Sequence, residues 1–532
     1  MRAEINETFL GSTDKYTARI RVLAVLIGLS VFLCGCSRII YDEPEYQPGP
    51  RYEKEKNQYT ENRSLFYPMN ERAFSEKHQM EDLTSYEYYD EFEGFEGRGY
   101  IKLEEGYRAD FELNIPSAQH YSISLCIRAD SAASTALTCG GAVQGAFSMN
   151  KSDGFTEARL DGIYLEAGVN RLSLTQLKSA VYIDFITVND IKLPDTRFDV
   201  SRSPANPNAS NSVRLLMDYF GEVYGKNVIL SQHVTPGTNT EINAVYEATG
   251  RFPAIRFSDL MRYSRSFTGD KPAVNDVDLA VEWARGGGIV GFDWTWFSPP
   301  IKGGRSHYYA GESDINLNEA FTTARIAELD DYEIEELMTK GEVSETCLEI
   351  IRDLDYMAEN LKILNAEKIP VLWRPVHQAS TRWFWWGNCD PESYKWLWRL
   401  MFERFSVYHG LNNLIWVWAA QDYEYYPGDG YVDIIGADIY NMDDASNIPE
   451  FFKAGTYSDK RKMAALTECG LIPSPDLLSR DRALWLWTSL YRGDYLVDYK
   501  GRLSSLFNLK SRLERAYNHE LTIALDELPE NF

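Results

Sequence analysis

Four side chains able to take part in chemistry follow apolar segments of this sequence, at points where a buried strand would end. Arg374, His377 and Gln378 come after the apolar letters VLW, and Glu468 comes after MAALT. A carboxylate can act as a nucleophile or carry a proton, whereas imidazole and amide groups bind hydroxyls. Polar groups gather at the C-terminal ends of the strands in a parallel barrel, so this pattern predicts one shared site.

An aromatic segment follows the first of these strand ends. Trp383, Phe384, Trp385 and Trp386 lie within four residues of one another. Aromatic faces pack against the apolar faces of pyranose rings, so polar groups beside such a wall are typical of a carbohydrate site. The alternative is a tryptophan-rich core strand. The candidate site residues at the predicted strand ends are Trp294, His377, Gln378, Asp438, Tyr440 and Glu468.

Composition narrows the class of ligand. The chain has 532 residues, of which 44% are hydrophobic and 14% aromatic, and its formal net charge is -25. That length allows more than one domain with a substantial core. A strongly acidic chain repels phosphate backbones, so we expect no nucleic-acid partner. An aromatic, acidic chain is compatible with a neutral polysaccharide.

The N-terminus predicts export and attachment to a membrane. Basic residues precede an apolar run that is short for a membrane span and typical of a signal peptide. The run ends in the letters LCGC, which resemble a bacterial lipobox with Cys36 as the lipidated residue. We therefore expect residues 1–36 to form a signal peptide with a lipobox. The protein would then be lipid-anchored at the bacterial cell surface. The alternative is an uncleaved signal anchor.

Along the rest of the chain the sequence pattern changes three times. Charged and proline-containing sequence gives way to short alternating strands, then to a second proline-rich stretch, and finally to alternating apolar strands and helices. The predicted fold is an all-β sandwich followed by an α/β (β/α)8 TIM barrel, with a doubly wound sheet as the alternative for the second domain. The predicted boundaries are a flexible tether at 37–83, the sandwich at 84–192, a linker at 193–210 and the barrel at 211–525.

Several motifs of the second domain resemble glycoside hydrolase family 26, best known for retaining β-mannanases. The most specific are WRPVHQ at 373–378, WFWWG at 383–387, and LTECG at 466–470. The resemblance covers most of residues 211–500 and comes in register along the chain. It implies a (β/α)8 barrel acting on β-mannan or a related β-linked polysaccharide, with no cofactor required for catalysis.

The resemblance also implies a role for each matching residue. Glu468 would be the nucleophile, and Tyr440 would orient it. The residues implied to bind the sugar are His377, Asp438, Trp383, Trp294 and Trp485.

Two positions depart from the family pattern. The family places its acid/base glutamate directly after the histidine, where this chain has Gln378, and a second histidine where this chain has Thr295. A carboxamide does not exchange a proton with a leaving group at neutral pH, and such help is worth about 10²–10⁴-fold in rate. Asp390 or Glu392, in the same loop, is the alternative source of an acid.

The first domain resembles carbohydrate-binding module family 35. The resemblance rests on an acidic opening at 91–93, the letters LEAGVNRL at 165–172, and YIDFI at 182–186. It implies sugar binding from one end of the sandwich and a structural calcium ion. The alternative is a spacer sandwich without a ligand.

Two hypotheses for the whole chain remain open at this point. The first is a membrane-anchored retaining endo-β-1,4-mannanase-type hydrolase, weakened by Gln378. The second is a non-catalytic surface glycan-binding lipoprotein. A structural surface protein without a ligand is disfavoured by the tryptophans and by Glu468.

Overall fold

The computed structural model describes residues 74–191, 198–268, 274–440 and 446–529. The predictions for the signal peptide, for Cys36 and for tether residues 37–73 lie outside this part of the chain. Within the described ranges, no helix is both long enough and apolar enough to cross a membrane.

The N-terminal domain consists of two antiparallel sheets packed face to face. One sheet has the order β2-β3-β10-β5-β8, with β1 also paired to β10, and the other has the order β4-β9-β6-β7. One short helix, α1 (Met80–Leu83), follows β1. The strands are β1 (Ser75–Gln79), β2 (Tyr88–Tyr89), β3 (Tyr100–Leu103), β4 (Arg108–Ile115), β5 (Gln119–Ala129), β6 (Ala133–Cys139), β7 (Ala142–Met149), β8 (Thr156–Leu165), β9 (Gly168–Lys178) and β10 (Val181–Asp190).

Strand β4 shows why these residues form a sandwich. Ala109, Phe111, Leu113 and Ile115 are buried, whereas the residues between them are exposed. Alternation with a period of two places one face of the strand in the core and the other in water. The buried faces of both sheets meet in one hydrophobic cluster, which confirms the predicted all-β sandwich.

The sandwich begins earlier than residue 84. Strand β1 pairs antiparallel with β10, Ser75 opposite Asn189 and Gln79 opposite Phe185, inside the segment predicted as a tether. Its letters SEKHQ are charged or polar because it is an edge strand with mostly exposed side chains. Such a strand lacks the apolar alternation on which the prediction depended.

The C-terminal domain is a closed barrel of eight parallel strands, as predicted. The sheet order runs from β12 through β18 to β11, and pairing between β11 and β12 closes the ring. A short strand, β19 (Thr522–Ile523), pairs with the start of β11. The barrel strands are β11 (Val228–His233), β12 (Ile255–Asp259), β13 (Ile289–Trp294), β14 (Val371–Pro375), β15 (Leu414–Trp418), β16 (Ile434–Ile439), β17 (Met463–Cys469) and β18 (Trp487–Leu490).

Helices cover the outside of the barrel. The longest is amphipathic: Ser344 caps its start by accepting from the Cys347 N–H, and its apolar face is buried. The α-helices are α2 (Asn211–Val223), α3 (Thr240–Thr249), α4 (Arg265–Thr268), α5 (Asp276–Arg285), α6 (Leu317–Ala320), α7 (Asp331–Thr339), α8 (Glu345–Ala366), α9 (Pro391–Glu403), α10 (Ile448–Gly455), α11 (Pro475–Asp481) and α12 (Lys510–Tyr517).

The described end of the predicted linker is fixed to the barrel. The Ala205 N–H donates to Asp433 at 2.5 Å, and the Asn206 side chain donates to Asn412 at 2.9 Å. Ser210 then caps helix α2. These contacts hold residues 205–210 against the barrel rather than leaving them extended.

Sandwich and barrel share a buried polar contact. His120 on β5 lies 3.2 Å from an Asp481 oxygen at the end of α11, and both side chains are almost fully buried. The other Asp481 oxygen accepts from Ser446. Beside them, a side chain at Gly162 of β8 would collide with Phe452 of α10. The absence of a side chain at Gly162 thus permits close packing between the two domains.

Candidate active site

Arg374 is the centre of the strand-end cluster. It lies on β14, is fully buried, and reaches the carboxylates of three other barrel strands. Its guanidinium donates to Asp293 at 2.6 Å, to both oxygens of Asp438 at 2.9 and 3.0 Å, and to Glu468. Burial alone would lower the pKa of Arg374, but the adjacent negative charges raise it well above its usual value. Arg374 therefore stays charged and fixes the three carboxylates in place.

Both oxygens of Glu468 accept hydrogen bonds. One accepts from Arg374, and the other accepts from the Tyr440 hydroxyl and from the Gln378 amide at 3.2 Å. Burial and the charge of Asp438 raise the pKa of Glu468 to about 7, against the opposing effect of Arg374. A carboxylate oriented in this way at the end of β17 has the position and partners of a nucleophile.

Gln378 lies directly above this carboxylate. Its amide nitrogen donates to Asp438 at 2.8 Å as well as to Glu468. The backbone after β14 turns sharply to bring it there, with φ of 42° at Val376 and 52° at Gln378. Positive φ is costly for a β-branched residue and is found chiefly where surrounding structure enforces it, often at functional sites. The Gln378 N–H donates to the Ala419 carbonyl at 2.8 Å and anchors the turn to β15.

Asp293 and His233 contact each other and connect Arg374 with the backbone of β17. His233 contacts Asp293 at 3.2 Å through Nδ1 and the Thr467 carbonyl at 2.9 Å through Nε2. Burial opposes the ionised form of Asp293, but the charges of Arg374 and His233 outweigh burial and lower its pKa. His233, Asp293 and Glu468 could together supply metal ligands. Here the Arg374 guanidinium contacts both carboxylates, so the site already contains a cation.

His377 is buried beside the aromatic loop. Burial and the nearby Arg374 charge lower its pKa to about 4, so its imidazole is neutral near pH 7. Its Nδ1 has no hydrogen-bond partner among the described residues. Phe384 packs edge-on against the ring at 5.4 Å, and the Trp386 indole donates to the His377 carbonyl at 2.9 Å. His377 is therefore a neutral group with one unsatisfied nitrogen.

The three tryptophans predicted to bind sugar have different environments. Trp383 is 67% exposed and is available as a stacking surface. Trp294 and Trp485 are fully buried, so their predicted contact with sugar is not compatible with this structure. Trp294 stacks on Trp296 at 4.1 Å, and Trp485 packs against Phe451 at 5.0 Å. Trp294, at the end of β13, is covered by the stacked Trp296, whereas Trp485 precedes the first residue of β18 and lies at the N-terminal end of the barrel, away from the site.

The two carboxylates considered as substitute acids belong to the start of α9. Pro391 occupies the first turn of this helix, and Asp390 precedes it without forming a side-chain capping bond. Glu392 is exposed and pairs with Lys395 at 2.5 Å. Both residues therefore lie at the N-terminal end of α9 in this structure.

Three residues of the site were not assigned a role from the sequence. Arg374 was recognised as a polar side chain at a predicted strand end but was given no role, and Asp293 and His233 were not singled out. The signal available was their position at the ends of β13 and β11. The pairing of Asp293 with His233, 60 residues apart in sequence, requires the closed barrel.

A second polar cluster lies in the sandwich, around residues 96–98. One oxygen each of Gln79, Glu81 and Asp184 is buried and accepts no hydrogen bond from a nitrogen or hydroxyl donor among the described residues, although the Cys126 thiol lies beside Asp184. The other oxygens of Glu81 and Asp184 accept from the N–H groups of Arg98 at 2.8 Å and Glu96 at 3.0 Å. Burial raises the pKa of Asp184 to about 6. Buried oxygens of this kind around one short segment fit a hard cation such as calcium.

Comparison with known proteins places these features in a family. The model of Glycosyl hydrolase family 26 matches residues 205–527. A mannan endo-1,4-beta-mannosidase of Thermothelomyces thermophilus is 30% identical over 439 residues, covering 82% of this chain and 86% of that protein. Mannan endo-1,4-beta-mannosidase B of Piromyces sp is 27% identical, covering 86% of this chain and 76% of that protein.

Solved structures agree with this result. The Podospora anserina GH26-CBM35 beta-(1,4)-mannanase is 29% identical with a TM-score of 0.56, covering 86% of this chain and 99% of that one. A ruminal GH26 endo-beta-1,4-mannanase, 22% identical with a TM-score of 0.59, covers 87% of this chain and 99% of that one and supports the fold. The N-terminal sandwich is thus similar to carbohydrate-binding module family 35.

Proposed function

This chain belongs to glycosyl hydrolase family 26, and from that membership we propose that its barrel binds β-1,4-mannan or a closely related polysaccharide. The names of its relatives supply the substrate class. Trp383 offers an exposed aromatic face, Asp438 shares the Gln378 amide with the proposed nucleophile, and His377 directly precedes Gln378 in the chain. We propose that these residues bind the sugar next to the bond to be cleaved.

The chemistry that we propose is retaining glycosyl transfer through Glu468. Its carboxylate would attack the anomeric carbon while Arg374 and Tyr440 hold it in place. In a retaining hydrolase a second carboxylic acid, about 5–5.5 Å away, protonates the departing oxygen. We propose that Gln378 occupies that position. Because an amide cannot supply the proton, cleavage of unactivated mannan should be slower by about 10²–10⁴-fold.

The single observation that carries this proposal is the contact between the Gln378 amide and Glu468 at 3.2 Å. It supports a position for residue 378 from which a carboxylic acid could reach the glycosidic oxygen above the nucleophile. It equally favours the second candidate function, a surface protein that binds β-mannan without cutting it. In that case Gln378 would hold both carboxylates in place as hydrogen-bond acceptors for sugar hydroxyls.

A single substitution at residue 378 tests the proposal. Gln378→Glu should raise the hydrolysis of unactivated mannan by about 10²-fold or more, since it restores a general acid. Reducing-end assays on purified protein would measure the rate. Glu468→Gln in the same background is the matched control and should abolish the gain. An unchanged rate in Gln378→Glu, with mannan binding intact, would refute the acid/base position and favour the binding function.

We further propose that a calcium ion in the sandwich is held by Gln79, Glu81 and Asp184. Their unpaired buried oxygens support this assignment, and calcium takes oxygen ligands of this type. The ion would be structural and would take no part in the chemistry at Glu468.

Lipid attachment at Cys36 completes the proposal, with localisation at the bacterial cell surface. The letters LCGC after the apolar run support it. Labelling of cells with a fatty acid should mark the wild-type chain but not Cys36→Ser. Labelling that persists in Cys36→Ser would argue against this anchor.

A further inference from the structure

We propose that this site transfers mannosyl groups from donors whose leaving group departs as an anion, and passes them to an anionic acceptor in preference to water. The inference rests on the proposed role of Glu468 as a nucleophile. It names the substrate class for which Gln378 is suited rather than defective: glycosides with acidic phenolic or acyl aglycones, and small carboxylate-like anions as acceptors.

Among the described residues, the groups nearest the proposed leaving oxygen cannot provide a proton. Gln378 is an amide, and His377 has its pKa lowered to about 4, so it carries no acidic proton near pH 7. The Tyr440 hydroxyl already donates to Glu468, and burial raises its pKa well above the usual value. A leaving group must therefore be stable as an anion.

Hydrogen bonds hold the proposed nucleophile in a fixed orientation. Glu468 keeps its bonds from Arg374 and Tyr440, and Arg374 is in turn held by Asp293 and Asp438. A buried carboxylate with a fixed orientation and a desolvated charge is costly to keep, and this cost favours a nucleophile over a mere acceptor of hydrogen bonds from sugar hydroxyls.

The first step follows from these two facts. A Glu468 oxygen forms a bond to the anomeric carbon as the bond from that carbon to the aglycone oxygen breaks. The electron pair leaves with the aglycone, which departs as a phenolate or carboxylate. The product is a glycosyl ester of Glu468, and no proton is transferred.

In the second step an acceptor releases the sugar from Glu468. Formation of the ester removes the negative charge from Glu468, so the Gln378 N–H loses one of its two carboxylate acceptors. The neutral Gln378 amide, which offers an N–H donor, does not repel an approaching anion. A glutamate at position 378 would repel it. The anion attacks the anomeric carbon, the ester bond breaks, and Glu468 recovers its charge. Water would need a base to take its proton, and an amide is not one.

Donors with different leaving groups test the first half. With 2,4-dinitrophenyl β-mannobioside, the purified full chain should release a burst of dinitrophenolate equal to the protein present. Methyl β-mannobioside should react more slowly by on the order of 10²–10⁴-fold or more, because it depends on the missing acid. Glu468→Gln should show no burst.

Sodium azide, as the probe anion, tests the second half. Azide should accelerate the steady-state rate on the dinitrophenyl donor by on the order of 10²-fold and yield β-mannobiosyl azide, detectable by mass spectrometry and NMR. In Gln378→Glu, azide should have no effect and mannobiose should be the product. Both variants are nearly isosteric with the native residues, and thermal melts would verify their folding.

The outcomes separate this inference from the proposed function. A burst without azide acceleration, and with mannobiose as the only product, would overturn the inference and leave Glu468 as a nucleophile. No burst from a chain that still binds mannobiose would overturn both the inference and the catalytic proposal.

Discussion

Arg374 carries one positive charge into contact with three buried carboxylates. The combined charge of Arg374, Asp293, Asp438 and Glu468 is negative when all are ionised, and this excess is one reason that the pKa of Glu468 is raised. The sequence predicted Glu468, Asp438, Tyr440 and Gln378 as members of one site, and the structure brings them together. It did not predict that a single arginine would contact Asp293, Asp438 and Glu468, because that requires the four strands to converge.

The raised pKa of Glu468 predicts the pH dependence of the reaction. A nucleophile must be ionised, so the rate of glycosyl-enzyme formation with an activated donor should rise with pH through about 7 and then level off. No descending limb is expected, because no acid at position 378 can lose its proton. Stopped-flow measurement of the burst rate across the pH range would record the profile.

The matched variant for this profile is Gln378→Glu. Its added carboxyl should introduce a descending limb on unactivated substrate, giving a bell-shaped curve. A bell-shaped curve in the native chain would mean that another residue supplies the acid.

Among the secondary-structure elements, the sequence predicted the barrel strands but missed an edge strand of the sandwich. The apolar runs of β13 to β17 identified the barrel because strands buried on both faces read as continuous hydrophobic segments. Strand β1 was missed because an edge strand has no such run. The burial of Trp294 and Trp485 also escaped prediction, since the sequence does not show that Trp296 covers Trp294 or that β18 begins only after Trp485.

Calcium should stabilise the sandwich by linking β1, α1 and β10, which carry the three proposed ligands. Chelation with EGTA should lower its melting temperature, and added calcium should restore it, because a ligand bound only to the folded state at 100 times its Kd contributes about 2.7 kcal/mol. Asp184→Asn should remove the dependence on calcium. Since the pKa of Asp184 is raised to about 6, protons compete with the ion, so the effect should be larger at neutral pH than below that value.

Asp130→Asn is the control for this experiment. Asp130 is an exposed acid of the same domain, and its loss should leave the calcium effect intact. Calorimetry in EGTA and in calcium would give both values. Equal melting temperatures of the native chain in the two solutions would exclude a structural calcium at this cluster.

At the scale of the whole molecule, the sandwich and barrel are joined by buried contacts rather than only by a linker. His120, Asp481 and Ser446 form a polar contact across the boundary, and Gly162 permits close packing beside it. The sequence predicted two domains but not their contact, because none of these residues forms a motif. A fixed sandwich would hold any sugar that it binds at a constant orientation to the barrel.

The buried His120 contact predicts coupled unfolding of the two domains. His120→Ala should destabilise the chain by about 1–3 kcal/mol, because it leaves the Asp481 carboxylate buried with fewer hydrogen bonds. It should also separate one calorimetric transition into two. His78→Ala is a matched control, since His78 pairs with Glu76 on the surface and should contribute little. An identical melting profile for His120→Ala and the native chain would show that the contact does not couple the domains.

The presence of glutamine at position 378 has a genetic consequence. Codons for glutamine and glutamate differ only in their first base, so the genetic distance between an amide and an acid at this position is a single nucleotide. The neighbours that a carboxylate would need are already in contact with the amide. Given the proposed acid position of residue 378, a population grown with mannan as its sole carbon source should therefore gain faster cleavage by a point mutation of Gln378 to glutamate. Loss of Arg374 or Glu468 would close that route, and their presence keeps it accessible.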